Sequence, residues 1–180
     1  MNDCLLVVDL FSTFAHENGD ALLASLRRRR AGVAGSIAQA RADGLPVVYA
    51  NDTRGVWDGD ARGLVEAALE GPGGDVLADL APRPSDAFVV KPRYSAFDLT
   101  PLTLILEELE IERILLMGMA TEMCVAQTAI DARERRYRVT VLTGACATVN
   151  EEDERLALAY LERIAGVWLV PTLAATPAAR

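Results

Sequence analysis

The sequence predicts an α/β fold: a doubly wound, three-layer α/β/α domain around a six-stranded, mostly parallel sheet, spanning residues 1–180 as one domain. Three observations predict it. Short apolar runs alternate with helical patterns from end to end. The strand-like runs are apolar on both faces, as strands covered by helices on each side must be. A chain of 180 residues with 51% hydrophobic and 24% charged residues has enough apolar material for a full core and enough charge for a soluble surface.

The elements follow in order. "CLLVVDL" (4–10) reads as a buried strand that closes on Asp9. Over 21–43, Leu22, Leu26, Val33, Ile37 and Ala40 recur at helical spacing, and Gly44-Leu45-Pro46 ends the helix. "PVVYAN" (46–51) is the second strand, followed by the loop "NDTRGVWDGD" and a Gly/Pro-rich connection with short helices near 62–69 and 74–81. "AFVVKP" (87–92) is the third strand and 101–110 a helix. "RILLMGM" (113–119) is the fourth strand, and a helix runs from about Thr121 to Arg136. "YRVTVLTGA" (137–145), a helix over 151–164 and "GVWLVP" (166–171) complete the pattern before a frayed tail. Right-handed crossovers favour the strand order 3-2-1-4-5-6. In such a sheet ligands bind beyond the carboxyl ends of the strands, at the switch between strands one and four.

The formal net charge of −8 argues against a nucleic-acid or anionic-membrane partner. Arg27-Arg28-Arg29-Arg30 is the one basic run, and four consecutive helical residues fan around the axis, so it reads as a solvated or salt-bridged stretch. No apolar run reaches the ~18 residues of a membrane span, and no signal peptide is visible in "MNDCLLVVDL". Cys4, Cys124 and Cys146 are odd in number and far apart, which fits neither a disulfide framework nor a CxxC site and points to a reducing cytoplasm. With His16 the only histidine, a histidine-based zinc site is close to excluded, and no metal or other cofactor is expected.

Three polar residues converge on the switch point. Asp9 closes strand one, Lys91 closes strand three, and Cys124 opens the helix after strand four. Lys91 is the only lysine among 18 Lys and Arg residues, placed at the end of a buried strand where a compact ammonium fits better than a planar guanidinium. Each residue alone has a plainer explanation: a turn cap for Asp9, chance for Lys91, a small buried hydrophobe for Cys124. Together they allow covalent catalysis. Asp9 accepts the thiol proton, while Lys91 and the helix dipole stabilise the thiolate. Thr121 as N-cap puts Cys124 at the third helical position, where backbone N–H groups remain available to an oxyanion.

On "VVDLFSTF", "VVKPRYSAF" and "GMATEMCVAQTAIDA" the chain resembles the isochorismatase-like cysteine hydrolases over about residues 4–170. The resemblance implies that Asp9, Lys91 and Cys124 are the catalytic triad. It implies a non-proline cis peptide at Met119–Ala120, and the Ala120 and Cys124 N–H groups as oxyanion hole. It also implies a homodimer or homotetramer. Nicotinamidases in this family hold a metal through an aspartate and histidines after strand two; here Asp52 remains but no histidine follows. Phe11 replaces the family's frequent glutamine two residues after the first aspartate, which suggests a more apolar pocket wall with Phe14 and Trp57 as substrate-binding residues. The reading is therefore a metal-independent hydrolase of a C–N bond in a small amide, carbamoyl or ureido substrate, through a thioester. The alternatives are isochorismate-type vinyl-ether hydrolysis, and a non-enzymatic ligand-binding or redox-responsive protein in which Cys4 and Cys146 serve as partner thiols.

Overall fold

In the computed structural model, residues 2–53, 55 and 59–176 are described. The sheet is built from β1 (Asp3–Val8), β2 (Val47–Asp52), β3 (Ala87–Lys91), β4 (Arg113–Met119), β5 (Arg138–Ala147) and β6 (Trp168–Val170). Its order is β3-β2-β1-β4-β5-β6, as the crossover argument requires, and every neighbouring pair is parallel. The helices are α1 (Gly19–Ala42), α2 (Ala61–Glu70), α3 (Gly74–Leu77), α4 (Leu102–Glu108), α5 (Ala126–Glu134) and α6 (Glu151–Arg163). The central strands are apolar on both faces because both are covered: all seven residues of β4 are buried, as are the last five of β1.

One glycine fixes how closely the strands that flank the switch point approach. Gly118 in β4 has φ +134, and a Cβ there would come within 1.9 Å of the Val8 carbonyl oxygen in β1. Only glycine fits this contact. The ladder between β4 and β5 shifts register between Leu116 and Gly118, so β5 continues to Ala147, two residues beyond the predicted end.

The arginine run on α1 is salt-bridged. Arg27 pairs with Asp75 (2.5 Å), Arg28 with Glu151 (3.3 Å), Arg29 with Glu154 (2.5 Å) and Arg30 with Asp79 (2.5 Å). The fan of four residues thus ties α1 to the α3 region on one side and to α6 on the other. Glu154 is buried, and its carboxylate also accepts a hydrogen bond from Thr121 Oγ1 at 2.8 Å. None of the described helices is long and apolar enough to cross a membrane.

The predicted helix over 121–136 begins differently from expectation. Thr121–Val125 forms a π-helical turn that leads into α5, with the Val125 N–H donating to the Ala120 carbonyl at 3.2 Å. Thr121 is not a cap. Its hydroxyl faces the Ala147 carbonyl (3.0 Å) and Glu154 instead of the helix's own N–H groups. Tertiary partners in β5 and α6 outcompete the local capping bond.

Candidate active site

Each of the three convergent residues sits at or beyond the carboxyl end of a strand. Val8 ends β1 and Asp9 follows with φ +51, a left-handed turn that leads the chain out of the sheet. The Asp9 N–H remains bonded to the Ala50 carbonyl at 2.8 Å. Lys91 is the last residue of β3, paired in register with Asp52 at the end of β2. Cys124 lies in the π-helical turn after β4, beyond the cis Met119–Ala120 peptide. The expected position of that cis bond is therefore the observed one.

The side chains meet. Lys91 Nζ lies 2.7 Å from Asp9 Oδ2 and 3.5 Å from Cys124 Sγ, and donates a further hydrogen bond to the Arg93 carbonyl at 2.9 Å. Asp9 Oδ1 accepts the Asp52 backbone N–H at 2.7 Å, and the Cys124 thiol also bonds the Asp9 carboxylate. Lys91 is 0% exposed, so an ammonium is held in the interior only because a carboxylate faces it.

Electrostatics follow from this packing. Burial pushes the Asp9 pKa up, and the Lys91 charge with three hydrogen bonds offsets only part of that rise. Burial opposes the Lys91 ammonium, yet Asp9 and Cys124 beside it hold its pKa above the ordinary value. For Cys124, burial first and the Asp9 charge second raise the thiol pKa, with Lys91 opposing. This corrects the expectation of a stabilised thiolate at rest. The raised pKa favours the thiol form of Cys124 beside the Asp9 carboxylate.

Asp9 and Cys124 open onto a cleft of about 390 Å³. Its lining includes Asp9, Cys124, Met119 and Ala120 from the strand ends, together with Asn51, Asp52, Tyr94 and the loop residue His16. Two of the expected wall residues lie elsewhere. Phe14 is buried against Gly73, where an added Cβ would meet its ring at 2.4 Å, and it does not line the cleft. Phe11 is fully buried beside Tyr49, with ring centroids 5.9 Å apart, so it is core and not pocket wall. Trp57 lies outside the described residues.

Three residues of the site were missed by sequence reasoning. Asn51 accepts the Phe11 N–H at 3.0 Å and donates to the Phe11 carbonyl at 2.9 Å, which fixes the loop leaving Asp9. A polar residue ending the apolar run "VVYAN" was the available signal. Glu122 accepts from Thr148 Oγ1 (2.7 Å) and the Val149 N–H (2.9 Å), anchoring the turn that carries Cys124 to the segment just after β5. His16 reaches the cleft through loop geometry, for which the sequence carried no signal.

A metal of the nicotinamidase type does not fit these donors. Asp52 stands at the end of β2, but the described residues contain no group of three or more His, Cys, Asp and Glu side chains arranged to hold an ion. Asp58 lies outside the described residues.

Residues 3–172 match the model of the isochorismatase domain family. An uncharacterized isochorismatase family protein of Bacillus subtilis, YaaI, is 31% identical over 160 residues, covering 89% of this chain and 88% of that protein. The ureidoacrylate amidohydrolase RutB of Methylorubrum extorquens is 31% identical over 176 residues, covering 78% of this chain and 68% of the relative. Among solved structures, the nicotinamidase/pyrazinamidase PncA of Bacillus subtilis superposes with a TM-score of 0.76 at 26% identity, over 94% of this chain and 100% of that one.

Proposed function

The chain belongs to the isochorismatase family of hydrolases, and on that footing we propose that it cleaves a C–N bond of a small amide, carbamoyl or ureido compound by metal-independent cysteine catalysis. One observation carries the reading: a buried ammonium bridges a carboxylate and a thiol at the switch point of the sheet, 2.7 Å from Asp9 and 3.5 Å from Cys124. Relatives named for amide and ureido hydrolysis point the same way.

The proposed sequence of steps uses only these groups. Asp9 takes the Cys124 proton as Sγ attacks the substrate carbonyl carbon, and the carbonyl electron pair moves onto oxygen. The Ala120 and Cys124 N–H groups hold that oxyanion. Collapse of the intermediate breaks the C–N bond, with Asp9 returning the proton to the leaving nitrogen. Water, deprotonated by Asp9, then attacks the thioester, and the acid departs as the thiol regains its proton. Lys91 keeps Asp9 ionised between these transfers and orients it.

The redox alternative is weakened, because Cys4 and Cys146, its partner thiols, are both fully buried. Screening small amides for ammonia release tests the proposal. At least one is turned over, and Cys124→Ala reduces that turnover by ~10³-fold or more. A Cys124→Ala protein that retains the wild-type rate overturns it.

A further inference from the structure

A buried ion pair stands behind the turn that carries Cys124. Glu154 of α6 takes both terminal nitrogens of Arg29 in α1 on its carboxylate, Nη1 on Oε1 at 2.5 Å and Nη2 on Oε2 at 2.6 Å, and its side chain is only 8% exposed. Arg29 Nη1 also donates to the Cys146 carbonyl of β5. Glu154 Oε1 has a second donor, the Thr121 hydroxyl at 2.8 Å. A hydroxyl has one proton to give, and a carboxylate is a stronger acceptor than the Ala147 carbonyl at 3.0 Å. Thr121 opens the turn: it follows Ala120 directly, and Cys124 lies three residues on. A capping threonine here would accept the Met123 or Cys124 N–H. This one is directed away from the turn's own backbone, toward Glu154. The Ala120 carbonyl accepts the Met123 N–H at 3.1 Å and the Val125 N–H at 3.2 Å, so the orientation of the Ala120–Thr121 peptide sets that of the whole turn.

Resting on the amide-hydrolase reading above, we propose that Glu154 is a positioning residue: held by Arg29, it fixes Thr121, and through Thr121 it aims the Ala120 and Cys124 N–H groups at the oxyanion. Neither Glu154 nor Thr121 lines the cleft, so their influence passes through the backbone of the turn. Donors stabilise a developing charge only when they are aimed before the charge forms, and a small misplacement is costly. The effect therefore falls on the tetrahedral state and spares both the reach of the thiol and the entry of substrate.

A small aldehyde probes the oxyanion site without any amide being cleaved. Cys124 Sγ adds to the carbonyl carbon of butyraldehyde, the carbonyl electron pair moves onto oxygen, and the thiol proton passes to that oxygen. The adduct has the shape of the tetrahedral intermediate. Iodoacetamide alkylates the same sulfur by displacing iodide and forms no oxyanion. The measurement is the butyraldehyde concentration that halves the rate of Cys124 alkylation, together with that rate itself and with kcat and KM for the amide cleaved fastest. Thr121→Val and Glu154→Gln should each raise the protecting concentration and lower kcat by at least about tenfold, with KM and the alkylation rate within about threefold of wild type. Thr121→Ser, which restores the hydroxyl, should recover both, and the double variant should lose no more than either single one. Glu154→Asp keeps a charge for Arg29 while withdrawing it from Thr121, and takes the place of Glu154→Gln if that variant does not fold. Protection and kcat at wild-type values in the Glu154 variant, alkylation that falls in step with them, or a wild type that butyraldehyde does not protect each overturns the proposal. If no amide is cleaved while the aldehyde pattern appears, the positioning role stands and the hydrolase reading fails. If amides are cleaved and the variants match wild type in kcat and protection, the hydrolase reading stands and the positioning role fails.

Discussion

Replacing Lys91 with methionine removes the charge from a fully buried position while keeping most of the side-chain volume. The bonds lost are those to Asp9 (2.7 Å), the Arg93 carbonyl (2.9 Å) and Cys124 (3.5 Å). Breaking a buried pair by deleting one partner costs about 3–5 kcal/mol when the remaining charge stays uncompensated. Asp9 has a way out, because burial already raises its pKa and losing Lys91 raises it further. A carboxyl whose folded pKa is raised is comfortable while protonated and loses stability as pH rises through that folded value. The variant should therefore lie close to wild type in thermal unfolding at acidic pH and fall increasingly below it as the pH is raised. Turnover should respond in the opposite place. A protonated Asp9 cannot accept the thiol proton, and loss of a general base is worth 10²–10⁴-fold. A fall of ~10³ in kcat/KM at neutral pH, about 4 kcal/mol in barrier, is expected. The assays are ammonia release and thermal unfolding across the same pH series. Turnover within tenfold of wild type, with a stability gap that does not change with pH, would refute the reasoning.

Chelation should leave turnover intact, measured as ammonia release after exhaustive EDTA treatment; loss restored by zinc or manganese would assign a metal role to the region around Asp52 and Asp58. Native alkylation should label Cys124, which lines the cleft, and spare Cys4 and Cys146, which are fully buried. Peptide mapping checks this, and labelling of all three at similar rates would contradict it. Asn51→Leu should lower stability by about 2–4 kcal/mol in denaturant unfolding, because two buried hydrogen bonds between Asn51 and the Phe11 backbone are removed. A change under about 0.5 kcal/mol would show that this loop finds other partners.

The convergence of Asp9, Lys91 and Cys124 was legible in the sequence because parallel strands covered by helices read as unbroken apolar runs, so a charged residue at the end of one is conspicuous. Asp9 and Lys91 stood out for that reason, and the strand order then placed them beside the turn that carries Cys124. What failed depended on directions that periodicity does not encode. Phe14 lies in a left-handed conformation, φ +56, and its ring goes to Gly73 instead of the cleft. Phe11, in the loop after β1, meets Tyr49 of β2. Thr121 carries every local mark of an N-cap, yet the Ala147 carbonyl and the Glu154 carboxylate claim its hydroxyl. The thiolate expectation failed on magnitude. A nearby cation and a helix start both favour the anion, but burial and the Asp9 charge outweigh them at Cys124.

The central claim is that Cys124 forms a bond to the acyl half of an amide. The most direct measurement is mass spectrometry of enzyme quenched during turnover of the amide it cleaves fastest, followed by mapping of the peptide that contains Cys124. The account predicts an acyl-sized mass increase on Cys124, absent from Cys124→Ala and released by hydroxylamine. Amide turnover that persists in Cys124→Ala, with no acyl adduct in the wild type, would contradict it.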